Sequence, residues 1–201
     1  MSSDDAVVVR CEIPRYFLGV ALALPRGAST DKHAGDSSNT RDKSSRGNAS
    51  QFFVAGELCR RGFAAVVTMG NTPNTDVLCS NRQGTEFVHI QVKTFVPGTK
   101  TCSVGLKAER PFGPRFFWVL AGIPAADSRA AFEYFIIPAS DMAQNVGAFH
   151  KRWLAAPGKE GRAHRDSSVR AVNVPPNNYP HLWCIDEYRG RWDLIIDQLA
   201  D

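Results

Sequence analysis

No stretch of this chain comes near the ~20 consecutive apolar residues that a membrane-spanning helix requires, so no membrane partner is expected. Cysteine is sparse and unpatterned. Cys11, Cys59, Cys79, Cys102 and Cys184 stand singly, with no C-x-x-C and no nearby Cys/His partner, which argues against a zinc site or a disulfide framework. Their number is odd, and Cys59 and Cys79 fall in periodic apolar segments, the pattern of reduced and mostly buried thiols in a cytoplasmic protein. Charge of one sign is not strongly in excess: a net charge of +4 and a pI near 8.9 allow a polyanionic partner and equally suit plain solubility. Internal repeats are lacking. Residues 16–24 have the length of a signal-peptide core and follow Arg10 and Arg15, yet Asp4, Asp5 and Glu12 make the flank acidic and the cleavage pattern is poor. A cytoplasmic location is therefore expected.

What the chain does have is size and a hydrophobic content of 43% over 201 residues, enough to bury a full core in one domain. Residues 26–46 belong to a run of Ser, Asp, Asn, Arg, Lys and Gly with almost no large apolar side chain, which reads as a flexible linker because it cannot repay its ordering entropy. Ahead of it, residues 1–25 carry two apolar patches, Val7–Val9 and Phe17–Leu24, that either add an element to the body or form an N-terminal appendage. The organised domain is expected over 47–201.

Within that domain the pattern predicts a helix over 49–61, with Asn48 or Ser50 capping its start, Val54 and Leu58 on one face and Gly62 at its end. Strands follow over 63–68, 76–80 and 86–95, the last two joined by a short turn into an antiparallel hairpin. Two further strands are predicted over 115–123 and 132–137, then a helix over 138–154 with Met142, Val146, Phe149 and Trp153 on one face. Residues 157–180 read mostly as loop, and 191–199 as a closing helix. The sum is an α/β or α+β sandwich.

Side chains alternate across a strand, so Val88, Ile90 and Val92 face one side of the third strand and His89, Gln91 and Lys93 the other. An amide and an amine side by side on one face suit either a solvated edge strand or a site. Asp76 opens the strand paired to this one, and the hairpin turn at 81–84 brings position 76 opposite 89–91. Asp76 is thus either a turn-capping residue or one member of a cluster with Gln91 and Lys93. Such a cluster fits phosphodiester hydrolysis. A carboxylate holds Mg²⁺ or Mn²⁺, hard cations that prefer oxygen ligands. The metal polarises a phosphoryl oxygen, and a lysine orients water or offsets developing charge.

The segment from Gly47 to Thr94, with Asp76 and Gln91-Val92-Lys93 in a helix–strand–strand–strand order, resembles the core of the PD-(D/E)XK nuclease superfamily. The likeness is greatest to its Holliday-junction-resolvase-like and homing-endonuclease-like branches, which carry a Q-x-K motif. The resemblance implies a restriction-endonuclease-like mixed sheet flanked by helices and a Mg²⁺- or Mn²⁺-dependent endonuclease acting on DNA ahead of RNA. Relatives often act as dimers, so a homodimer is a candidate assembly. By the same resemblance Asp76 is the metal-binding acid, Gln91 takes the place of the second acid, Lys93 is the catalytic lysine, and the carbonyl of Val92 is a further metal ligand.

Two departures stand out. The second acid is a glutamine, and the glutamate that related sequences carry about eleven residues before the helix-ending glycine is here Gln51. The acid that the helix does carry, Glu57, lies ~240° around from Gln51 at ~100° per residue, so the two cannot both face one site. Glu57 either reaches the metal or pairs with Arg60 or Arg61. Residues 95–201 hold no assignable motif. Trp183, Tyr188 and Trp192 suit base stacking or a core, and Lys151, Arg152, Lys159, Arg162, Arg165 and Arg170 suit phosphate contacts or a solvated face. Rival readings are a catalytically inactive nuclease-like fold that binds nucleic acid or protein, and an immunity-type or assembly protein on the same scaffold.

Overall fold

The polar stretch ahead of Ala49 turns out to be helical. The computed structural model describes residues 35–69 and 72–200, of which 35–43 by backbone alone, and opens with α1, Gly35–Arg60. The linker expected over 26–46 is therefore helix from Gly35 onward; its earlier part and the appendage over 1–25 lie outside the described residues. Extending a nucleated helix asks little of each added residue, and no proline interrupts 36–48. Among the residues of α1 with described side chains, Ser50, Val54, Ala55 and Leu58 are buried while Ser44, Ser45 and Asn48 are exposed. The helix closes as Gly62 was expected to close it. Gly62 adopts φ +95°, the Gly62 amide bonds the Cys59 carbonyl at 2.9 Å and the Phe63 amide the Leu58 carbonyl at 3.2 Å, a Schellman pairing.

Next come β1 (Ala64–Val67), β2 (Val77–Ser80), β3 (Phe87–Phe95), β4 (Thr101–Ser103), β5 (Phe116–Gly122) and β6 (Glu133–Pro138), then α2 (Ala139–Ala155), β7 (Ala171–Asn173) and α3 (Asp193–Leu199). Among the described residues, five strands form one mixed sheet in the order β1-β2-β3-β5-β6, with β3 and β5 parallel and the other neighbours antiparallel. The strands and helices read from the sequence are present within a few residues. The exception is the short pair β4–β7: β7 stands inside the segment read as loop, and β4 in a segment to which no element was assigned. Three residues per strand are too few to show a period of two.

Every residue of β5 is buried, because helices cover both faces of the sheet. On one side Phe117, Val119 and Ala121 join Val88, Ile90 and Val92 against α1 and α3; on the other Phe116, Trp118 and Leu120 meet α2 and the β4–β7 pair. Each large side chain so enclosed contributes ~1.5–3 kcal/mol. At the end of β5 only glycine fits, since a Cβ on Gly122 would lie 2.7 Å from Phe95 Cζ. Trp183 and Trp192 belong to these cores, at 6% and 4% exposure, and so are not a base-stacking surface. Among the described residues no helix is long and apolar enough to cross a membrane.

Candidate active site

The hairpin register fixes what surrounds Asp76. Its last ladder pair is Val77↔Ile90, and the Asp76 amide still bonds the Ile90 carbonyl at 2.9 Å. The next amide on that side of β3 is Val92 N–H, and it is met by a side chain instead of a strand: Asp76 Oδ2 accepts it at 2.7 Å. The same oxygen accepts a hydrogen bond from Gln91 Nε2. Because a strand residue presents its N–H and C=O to the same neighbour, the Val92 carbonyl lies on the Asp76 side of β3. The Asp76 carbonyl in turn receives the Thr68 amide at 3.0 Å, and Thr68 Oγ1 donates to the Thr75 carbonyl. Asp76 is thus held from both neighbouring strands.

The face assignment read from the sequence stands. Val88, Ile90 and Val92 are buried, whereas His89 is exposed and Gln91 and Lys93 are half-buried. His89 Nδ1 lies 3.1 Å from Thr75 Oγ1. Lys93, two residues beyond Gln91, reaches Cys102 electrostatically: burial pushes that thiol up to about 12 while the Lys93 charge draws it down more weakly.

Of the two candidates on α1, Gln51 lines one cavity with Asp76, whereas Glu57 pairs with arginines. A cavity of about 300 Å³ is lined by Asn48, Gln51 and Phe52 of α1, by Thr68 and Met69 following β1, and by Asp76. The rotation of α1 is set by Ser50, fully buried, whose Oγ donates to the Gly47 carbonyl at 2.7 Å and lies 2.6 Å from Thr94 Oγ1 of β3. Glu57 bonds Arg60 at 2.8 and 2.9 Å and Arg61 at 2.7 Å. The Arg60 hydrogen bond, aided by Arg61, holds its carboxyl below the usual range, and its charge adds to the burial that raises Tyr134.

Asp76 offers a carboxylate, Val92 a carbonyl on the same side of β3, and Gln51 and Gln91 each carry an amide oxygen. Among the described residues no three His, Cys, Asp or Glu side chains gather as a metal set. One carboxylate with neutral oxygens fits a hard cation that keeps several waters and shares its charge with a substrate phosphate, and does not fit zinc, which takes nitrogen and sulfur.

The basic region over 151–170 divides. Arg170 is 5% exposed and spent on Glu109 and on the carbonyls of Ser167 and Val169 at 2.6 and 2.9 Å, so it is not a phosphate contact. Lys151, Arg152, Lys159, Arg162 and Arg165 are exposed, with Arg152 lying 4.0 Å over the Phe149 ring. Asn48 and Phe52, which also line the cavity, were not singled out for it in the sequence. Their spacing from Gln51 carried the signal, because 48, 51 and 52 share one helix face.

No protein-family model matches the sequence, and no curated protein is similar to it. Among solved structures the chain is similar to a bacterial homing endonuclease, at 15% identity over 76% of this chain and 90% of that one, with a TM-score of 0.44. It is also similar to a Holliday junction resolvase from the archaeal hyperthermophile Archaeoglobus fulgidus, at 16% identity over 60% of this chain and 84% of that one, with a TM-score of 0.30. With five mixed strands in the order described and helices on both faces, the fold is restriction-endonuclease-like. In this restriction-endonuclease-like domain, Asp76 stands where the outer pair of strands parts from β3.

Proposed function

We propose that the chain is a metal-dependent nuclease that hydrolyses DNA phosphodiester bonds at the Asp76 end of the β2–β3 hairpin. The observation that carries this reading is the convergence of the Asp76 carboxylate with Gln91 and the Val92 backbone, with Lys93 next along the same strand face. Asp76, the Val92 carbonyl and the amide oxygens of Gln91 and Gln51 would hold Mg²⁺ or Mn²⁺. When bound, the metal polarises a phosphoryl oxygen and acidifies a water. The Val92 amide and the Gln91 side chain fix the orientation of Asp76. Lys93 supplies an ammonium that orients the attacking water and offsets the negative charge gathering on the phosphate. With a single carboxylate in the donor set, a substrate phosphate would supply further negative charge to a bound cation.

The test is cleavage of plasmid, branched and single-stranded DNA by the purified protein in Mg²⁺ or Mn²⁺. Asp76→Ala and Lys93→Ala abolish it if the reading is right; equal cleavage by both variants would trace the activity to a contaminant and end the assignment.

A second reading, a nuclease-like fold kept for binding nucleic acid or protein, has one observation in its favour. Gln91 satisfies Asp76 by hydrogen bonding, so the pair carries no like-charge repulsion for a cation to relieve. Salt-sensitive DNA binding with no cleavage of any substrate would select it.

A further inference from the structure

The cavity beside Asp76 differs from a phosphate cradle. Among its described lining residues Asp76 is the one ionisable side chain, and the rest of the polar lining is neutral: the amides of Asn48 and Gln51 and the hydroxyls of Thr68, Thr72 and Thr75. A neutral wall of paired donors and acceptors suits an uncharged heterocycle, and side-chain amides match the donor and acceptor edges of nucleobases. The cavity also has an aromatic wall. Phe52 lines it while remaining 60% exposed, and Met69, also lining it, is 83% exposed. Phe53, its neighbour on α1, packs against Phe132 with ring centroids 4.8 Å apart, whereas Phe52 has no aromatic partner among the described residues. At about 300 Å³ the space lies at the small end of ligand pockets and suits one planar group.

We infer that this cavity receives a single unstacked nucleobase next to the bond to be cut, with Phe52 as its stacking platform and Asn48 and the Thr72 hydroxyl as its edge contacts. A base inside a duplex is stacked on both faces and cannot present its face to Phe52. The preferred substrate is therefore DNA with unpaired bases, such as a single strand, a flap or a branch, rather than continuous duplex. The inference rests on reading Asp76 as the place of the scissile phosphate, which puts a neighbouring base within reach of α1.

Binding is the readout that separates this inference from catalysis. Fluorescence anisotropy in EDTA, with a labelled single-stranded oligonucleotide and a blunt hairpin duplex as probes, is expected to show tighter binding of the single strand. Phe52→Ala should weaken single-strand binding by about tenfold, the equivalent of ~1.4 kcal/mol and within the range of one base–aromatic stack, with less than a twofold change on duplex. Phe52→Trp should restore it. Single-strand affinity unchanged in Phe52→Ala, or an equal loss on both probes, would overturn the inference. If Phe52→Ala changes nothing while Asp76→Ala abolishes cleavage, the base pocket fails alone. If cleavage is absent and the selective loss persists, the nuclease reading fails and the pocket stands as part of a binding module.

Discussion

Gln91 donates its side-chain amide to Asp76 Oδ2 across the end of the β2–β3 hairpin, on the oxygen that also takes the Val92 amide. Two carboxylates in these positions would repel unless a cation lay between them; an amide and a carboxylate attract. Gln91→Glu is therefore expected to melt lower than the parent protein in EDTA, by ~1–3 kcal/mol for the lost hydrogen bond and the new repulsion, or ~2–10 °C at this size. Mn²⁺ should recover the loss in the variant and change the parent little. Thermal melts with and without Mn²⁺ check this, and equal metal responses in the two proteins would contradict it.

Gln51 shares the cavity with Asp76, whereas Glu57 is engaged by Arg60 and Arg61. Adding charge at position 51 should thus strengthen metal binding, and removing it at 57 should not weaken it. Calorimetric titration with Mn²⁺ is expected to give at least tenfold tighter binding for Gln51→Glu. Cleavage by Glu57→Gln should stay within about twofold of the parent, given the ~0–1 kcal/mol that surface ion pairs carry.

The Glu57 carboxyl is held low by Arg60 first and Arg61 next, which fixes the sign of its pH dependence. A depressed carboxylate stabilises the fold above its unfolded value, about 4.3, and that contribution disappears as pH falls through the lower folded value. Glu57→Gln should accordingly melt slightly below the parent at pH 7, with the gap closing below about pH 4. Solvent screening keeps the difference under ~1 kcal/mol. A gap that widens in acid would mean that another group dominates.

Arg170 is a buried cation, joined to Glu109 and to backbone carbonyls. Its removal strands that carboxylate and those carbonyls, so Arg170→Ala should lose ~2–4 kcal/mol, at the low side of buried-pair losses because Glu109 is partly solvated. Arg162→Ala, at an exposed pair with Glu160, should lose less than ~1 kcal/mol. Urea unfolding of the two variants separates these cases. Equal stabilities would return Arg170 to the surface.

Much of this fold was readable because its strands and helices are long enough to show their periods. The nine residues of β3 alternate clearly, and Gly62 marks the end of α1. The start of α1 was not readable, because residues 35–48 carry no apolar stripe in the sequence. β4 and β7 escaped through brevity, and Arg170 looked like a surface cation because its partner Glu109 lies sixty-one residues away. The meeting of Asp76 with Gln91 and Val92 was legible from their spacing along one hairpin. The choice between Gln51 and Glu57 was not, since it depends on how α1 is rotated on the sheet, and that is set by the contact of Ser50 with Thr94.

That hydroxyl contact ties together parts of the molecule that are far apart in sequence. Ser50 precedes Gln51 and Thr94 follows Lys93, so one short bridge indexes the helix residue of the cavity against the strand residue of the motif. A slide of α1 by one turn, ~5.4 Å, would break the bridge and withdraw Gln51 from Asp76 in the same movement. The helix also continues outward from Ser50 to Gly35. The spacing between the cavity and the lysine is thus indexed by a residue well inside a 26-residue helix and not by its terminus.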